Sequence, residues 1–304
     1  MSLTVTDLTN QLIASYAKVG GINHLDGKNL PSKTRIGFIT VDLLRLLFPG
    51  FFDEKLLVAS ELKVETATLM DYVYERLEDE IAKSLEYAPP EGVPKKDLRK
   101  LGHKLTLDFL GRLPHVRDLL RTDVEAAFRG DPAALSTEEV IVAYPFVEAI
   151  AVQRLAHELY NDKVPLIPRI MTEWAHSRTG MDLHPGAKIG TNFFIDHGTG
   201  AVIGETSVIG NNVKMYQGVG LVARSLSGGQ ALKGQKRHPT IEDRVTIYAN
   251  ATIVGGDTTV GAGSTIGASV FLTQSVPANS LVTYEKVDVK VTAKKEKSAT
   301  DFQI

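Results

Sequence analysis

Residues 201–221 read AVIGETSVIGNNVKMYQGVGL, and within them Ile203, Ile209, Met215 and Leu221 stand six apart. An amphipathic helix would return an apolar residue about every three to four positions, and a half-buried strand would alternate. A period of six fits neither. It fits a solenoid in which each hexapeptide makes one short strand and one corner, with the recurring apolar side chain inside. The same spacing joins Leu183, Ile189 and Ile195, then Ile241, Ile247 and Ile253, then Val260, Ile266 and Leu272. Glycine often follows, as in Ile203-Gly204, Ile209-Gly210 and Val260-Gly261. The spacing predicts a β-helix of hexapeptide repeats over 181–284.

The period fails in places where chemistry can be built. Ile195 and Ile203 are eight apart, so two extra residues sit within Asp196-His197-Gly198-Thr199-Gly200. Leu221 and Ile241 are twenty apart, which predicts an excursion loop over 222–238. Gly228 and Gly229 would give that loop freedom or let backbone approach a ligand. A stacked solenoid tolerates insertions at its corners, and loops leaving a corner tend to form the functional face. Each of these two breaks carries a histidine, His197 and His238.

Upstream the pattern is helical. Leu69, Val73, Leu77, Ile81 and Leu85 recur every four residues, and Pro89, Pro90 and Pro94 end that run. A second helix is expected from Tyr144-Pro145 through Leu159, since proline suits a first turn. Between them Thr122 and Glu125 read as a capping box, with Gly130 stopping a short helix. Asp131-Pro132 reads as an N-cap followed by a first-turn proline. The fold class is therefore α+β: a helical N-terminal domain over 1–180, the β-helix, and a charged tail of low periodicity over 285–304.

The 304 residues carry a net charge of -2 with no long basic block, which removes the main electrostatic reason to expect nucleic acid or a membrane surface. Cysteine is absent, excluding disulfides, thiolate metal sites and a cysteine nucleophile. No basic and apolar leader is visible at the start, and no apolar run approaches a membrane span. A cytoplasmic protein is expected.

Asp182, His184, Asp196, His197, Glu205, Arg237 and His238 cluster in or beside the breaks. His197 follows Asp182 by fifteen residues, which places both near one corner on neighbouring coils. An imidazole oriented by a carboxylate is a general base suited to neutral pH, able to take the proton of a hydroxyl. The plainer reading makes Asp182 a strand-end cap and His197 a turn residue. His184, followed by Pro185, reads as structural. Arg237 ends the loop and suits a carboxylate, which it can bind bidentately, or is simply a solvated loop residue. Three histidines could suggest zinc, but their spacing gives no regular coil-to-coil alignment, so no metal is expected.

The stretch MDLHPGAKIG, with FFIDHGTGAVIGETSVIG, VKMYQGVGL and KRHPTIEDRVTIYANATIVGG, resembles the serine acetyltransferases. The similarity spans about residues 115–285, and D-H-x-T-G-x-x-I-G-E and R-H-P after a loop are its specific parts. The resemblance implies a left-handed β-helix that forms a trimer or a dimer of trimers, with sites between adjacent chains. It implies transfer of acetyl from acetyl-CoA to L-serine, with His197 and Asp182 as the catalytic pair. His238, Arg237, Asp196, Asp131 and Pro132 would surround serine, Arg237 on its carboxylate and Asp131 near its amine. Glu205 would orient His238. Acetyl-CoA would lie along the β-helix near Gly220, Ala223, Ala249 and Ala268. Gly220 and Val222 depart from the threonine and glycine of many members. A tail ending in Ile304 implies docking to cysteine synthase. Another hexapeptide-repeat O-acyltransferase, acting on a sugar or amino alcohol, is the alternative on the same fold.

Overall fold

The computed structural model describes residues 3–285 apart from Glu54 and Leu226. Among these described residues eight α-helices come first: α1 (Val5–Lys18), α2 (Lys33–Leu47), α3 (Leu62–Tyr87), α4 (Leu98–Gly111), α5 (Leu113–Gly130), α6 (Thr137–Ala143), α7 (Pro145–Asn161) and α8 (Ile167–Thr179). Val73, Leu77, Ile81 and Leu85 are buried along α3, as their four-residue spacing requires. Tyr144 is the N-cap of α7 and Pro145 its first residue, as expected from sequence. Among the described residues no single helix is long and apolar enough to cross a membrane.

Two helix readings are corrected. Thr122 does not start a helix; it lies inside the eighteen-residue α5. Its hydroxyl donates to the Leu119 carbonyl at 2.7 Å and accepts from the Asn192 N–H at 3.0 Å. A threonine within a helix can bond backwards in this way, so the capping pattern alone does not mark a start. Asp131 ends α5 instead of opening a helix at Pro132, and the next helix begins at Thr137 under the Ser136 cap.

Fourteen short parallel strands follow, from β1 (Asp182–Leu183) to β14 (Leu281–Val282), in a left-handed β-helix of three faces. The first face stacks β1, β4 (Val202–Ile203), β7 (Gly220–Val222), β10 (Thr252–Val254) and β13 (Phe271–Leu272). Its register aligns Leu183, Ile203, Leu221, Ile253 and Leu272. The second face aligns Ile189, Ile209, Ile241 and Val260, and the third Ile195, Met215, Ile247 and Ile266. These are the six-spaced residues; all but the partly covered Ile189 are buried. Each such side chain stabilises the stack by about 1.5–3 kcal/mol.

The corners are held in the left-handed backbone region. Asn192, Asn212, Arg244, Asn250, Ser269 and Asn279 have φ between 54° and 62°. Asparagine tolerates that conformation better than most side chains, which explains its repeated use here. His197, with φ of 60°, is another such corner. The excursion loop leaves after β7, at the edge between the first and second faces, and returns at β8 (Thr240–Ile241).

Candidate active site

The functional side chains lie on two different edges of the prism. Asp182, at the start of β1, and Asp196-His197, at the end of β3 (Phe194–Asp196), share the edge between the third and first faces. His184, Glu205, Arg237 and His238 share the edge between the first and second faces. The first face stands between the two groups.

At the third-to-first edge, His197 projects with its side chain 71% exposed, its Nδ1 3.6 Å from Asp196 Oδ1. The expected pair with Asp182 is not formed: among the described residues no hydrogen bond or ion pair joins them. Asp182 faces α8 instead, with Oδ1 3.9 Å from Arg169 Nη1. Glu173, His176 and Asp182 bring ligand atoms within 4.8 Å of one another, but Arg169 also binds Glu173 at 2.5 Å. A guanidinium already supplies the positive charge that these carboxylates need.

Asp131 completes this edge from the helical side. The Tyr144 hydroxyl donates to its Oδ2 at 2.5 Å, and the Ala133 N–H to its Oδ1 at 2.9 Å. Those bonds, the tyrosine's first, hold the Asp131 carboxyl below the usual carboxylate range, and the charges of Lys214 and His197 add to them. The same bond pushes the Tyr144 phenol up to about 12. Lys214 spans the gap between the helices and the β-helix, donating to the Gly130 carbonyl at 2.6 Å with Asp196 Oδ2 3.6 Å away. The neighbouring Pro132 is exposed.

At the first-to-second edge, Glu205 binds the Arg237 guanidinium and accepts from the Tyr160 hydroxyl at 2.7 Å. The expectation that Glu205 orients His238 is therefore corrected. His238 Nδ1 meets the Thr206 N–H at 3.1 Å and the Thr206 hydroxyl at 2.9 Å. Burial pushes His238 down to about 4, so it is neutral at pH 7. With Nδ1 accepting, its proton sits on Nε2, which makes His238 a donor and not a base. Gly204 is needed beneath the ring, since a Cβ there would come 2.0 Å from His238 Cδ2. Among the described residues Arg237 Nη1 is buried without a hydrogen-bond partner, a guanidinium donor left for a ligand.

His184 is structural, as its position at the solenoid entrance suggests. Its Nδ1 accepts from the Gly186 N–H at 3.0 Å, its ring meets Tyr160 edge-on, and burial pushes it down to about 4. Of the expected cofactor contacts, Ala249 and Ala268 stack on successive coils at the His197 edge, where the Ser269 N–H donates to the Ala249 carbonyl at 2.9 Å. Ala223 opens the excursion loop on the other edge. Gly220 does not fit that role in this chain, because it is buried in β7 between Val202 and Thr252. Tyr144, Tyr160, Thr206 and Lys214 were not legible as site residues. Tyr144 stood out only as a helix start, and the others lie inside regular elements or repeats.

No family model matches the chain. A serine acetyltransferase of Synechococcus elongatus is 45% identical over 271 residues, covering 85% of this chain and 83% of the relative. The crystal structure of serine acetyltransferase isoform 3 from Entamoeba histolytica in complex with cysteine is similar, with a TM-score of 0.72 and 33% identity over 94% of each chain. That of a serine acetyltransferase from Brucella abortus in complex with coenzyme A has a TM-score of 0.53 and 27% identity, covering 81% of this chain and 93% of that one. The extent of the match with the Synechococcus relative, more than four fifths of both proteins at 45% identity, is decisive. This chain belongs to the serine acetyltransferase family.

Proposed function

We propose that the chain transfers the acetyl group of acetyl-CoA to the hydroxyl of L-serine, giving O-acetylserine for cysteine synthesis, at sites completed between adjacent copies of a homotrimer. The carrying observation is the split of the site residues between two edges. His197, Asp196 and Asp131 on one copy and Arg237, Glu205 and His238 on the next form one site when edges meet. A dimer of such trimers through the helical domains is the larger assembly we expect.

In this site the Arg237 guanidinium, with its unpartnered Nη1, takes the serine carboxylate, and Asp131 takes the ammonium. Asp196 and the Nε2–H of His238 bound the hydroxyl. His197 removes the hydroxyl proton as the oxygen attacks the thioester carbonyl carbon. The tetrahedral oxyanion collapses, the C–S bond breaks, and the imidazolium returns its proton to the departing sulfur. Backbone N–H groups on the coil edge stabilise the oxyanion. Asp196, with Oδ1 3.6 Å from His197 Nδ1, is the carboxylate that steadies the imidazolium. The acetyl-CoA arm would run along the coils past Ala249 and Ala268 of one copy towards Ala223 of the next.

The reading extends to a cytoplasmic enzyme whose tail, ending in Ile304 outside the described residues, docks to cysteine synthase. Thiol release from acetyl-CoA with L-serine tests the activity. His197→Ala should lower it by about 10²–10⁴-fold, the usual worth of a general base. No serine-dependent release from the folded wild type would refute the function. Undiminished turnover in the variant would refute the base.

A further inference from the structure

Tyr144 and Tyr160 sit at the two ends of one helix. Tyr144 is the N-cap of α7 and Tyr160 is in its last turn, sixteen residues on. At about 1.5 Å per residue that separates them by about 24 Å. Each hydroxyl ends on a charged group of a different edge. Tyr144 donates to Asp131 Oδ2 at 2.5 Å on one, and Tyr160 donates to Glu205 Oε1 at 2.7 Å on the other. Glu205 in turn uses its second oxygen to grip Arg237.

We infer that α7 is a strut that sets both halves of the substrate site, positioning Asp131 through Tyr144 and Arg237 through Tyr160 and Glu205. The inference rests on the serine-site reading above and adds two positioning residues to it.

Three further features support the strut. The middle of α7 is packed rigidly: Phe146, Val147, Ile150, Ala151, Leu155 and Leu159 are all buried. A helix held that firmly transmits position to both ends. Both phenols are pushed up to about 12, Tyr144 by Asp131 and Tyr160 by burial and then Glu205. They remain donors at any working pH. The backbone also makes room for the second contact. A Cβ on Gly186 would come 2.9 Å from Tyr160 Cζ and 2.9 Å from Glu205 Cγ, so only glycine lets the tyrosine and glutamate meet there. With Glu205 fixed from the far side, Arg237 is held with Nη1 unpaired, which leaves that donor to a substrate carboxylate. In a closed trimer every site would then receive one tyrosine from each of two copies of α7.

The test is steady-state kinetics on full-length Tyr144→Phe and Tyr160→Phe, which keep the rings and remove only the hydroxyls. Each should raise the KM for L-serine roughly tenfold, the cost of one hydrogen bond to a charged group. kcat and the KM for acetyl-CoA should stay within about twofold, and thermal melting should be nearly unchanged; a purely structural tyrosine would move melting and not the serine KM. Asp131→Ala and Arg237→Ala are measured beside them. If these two raise the serine KM and neither tyrosine variant does, the strut is overturned and the site reading stands. A rise in only one tyrosine variant overturns the two-ended strut. If Asp131→Ala and Arg237→Ala leave the serine KM unchanged, the site reading falls and the strut falls with it.

Discussion

A histidine whose Nδ1 accepts from both the N–H and the hydroxyl of Thr206 can offer a ligand only its Nε2–H. His238 is held in that state by burial, and its ring comes so close to Gly204 that a Cβ there would lie 2.0 Å from Cδ2. Gly204→Ala therefore tests the donor without touching it chemically. The added methyl must displace the ring, at a stability cost of about 1–3 kcal/mol for overpacking. Loss of one aligned donor should lower kcat by about 10²-fold, with the KM for acetyl-CoA unchanged. Turnover at the wild-type rate in a folded Gly204→Ala protein would show that His238 is not aimed at the reacting atoms. At this scale the sequence was legible in part. It marked His197, His238 and Arg237, because they sit where a six-residue period fails. It could not show that Glu205 serves Arg237 and not His238, because that depends on which side chain of a turn faces inward. Nor could it show that Asp182 turns towards Arg169, a residue of a different element.

At the scale of elements, the β-helix was legible almost residue by residue, since an apolar side chain every six positions has one geometric solution. The helices were less so. Local capping chemistry suggested a short helix at Thr122, while tertiary contacts carry α5 through it. The reason lies one residue on. Asp123 accepts from Arg154 Nε at 2.6 Å and Nη2 at 2.9 Å, and from the Phe193 N–H at 3.0 Å. Arg154 also donates to the Ile189 carbonyl at 3.2 Å and the Gly190 carbonyl at 2.8 Å. This buried pair ties α5 and α7 to the first coil of the β-helix. Removing one partner strands the other charge away from water. Asp123→Ala should thus destabilise the fold by about 3–5 kcal/mol in chemical unfolding, and Arg154→Met by a similar amount. Replacing both should cost less than the sum, because neither charge is then left alone. Additive losses would mean that the pair is not the joint between the two halves.

At the scale of the whole molecule, the first face of the prism separates His197 from Arg237 and His238, and no rearrangement within a stacked solenoid brings its edges together. A second copy can. In a closed ring the same pair of edges meets at every interface, which is the heterologous arrangement that cyclic symmetry permits. This makes an experiment available that no single-chain site would pass. His197→Ala and Arg237→Ala homotrimers each lack one component at all their sites and should be nearly inactive at serine concentrations well below the wild-type KM. When the two variants are unfolded together and refolded, an interface is intact wherever the His197→Ala copy supplies Arg237 and the Arg237→Ala copy supplies His197. Random mixing of equal amounts leaves about a quarter of the interfaces intact, so about a quarter of wild-type activity should return. Mixing without unfolding should restore none unless subunits exchange. Sedimentation must show trimers or their multiples in both samples. If the refolded mixture is as inactive as its parents while assembled, each chain carries its own complete site and the shared-edge reading is wrong.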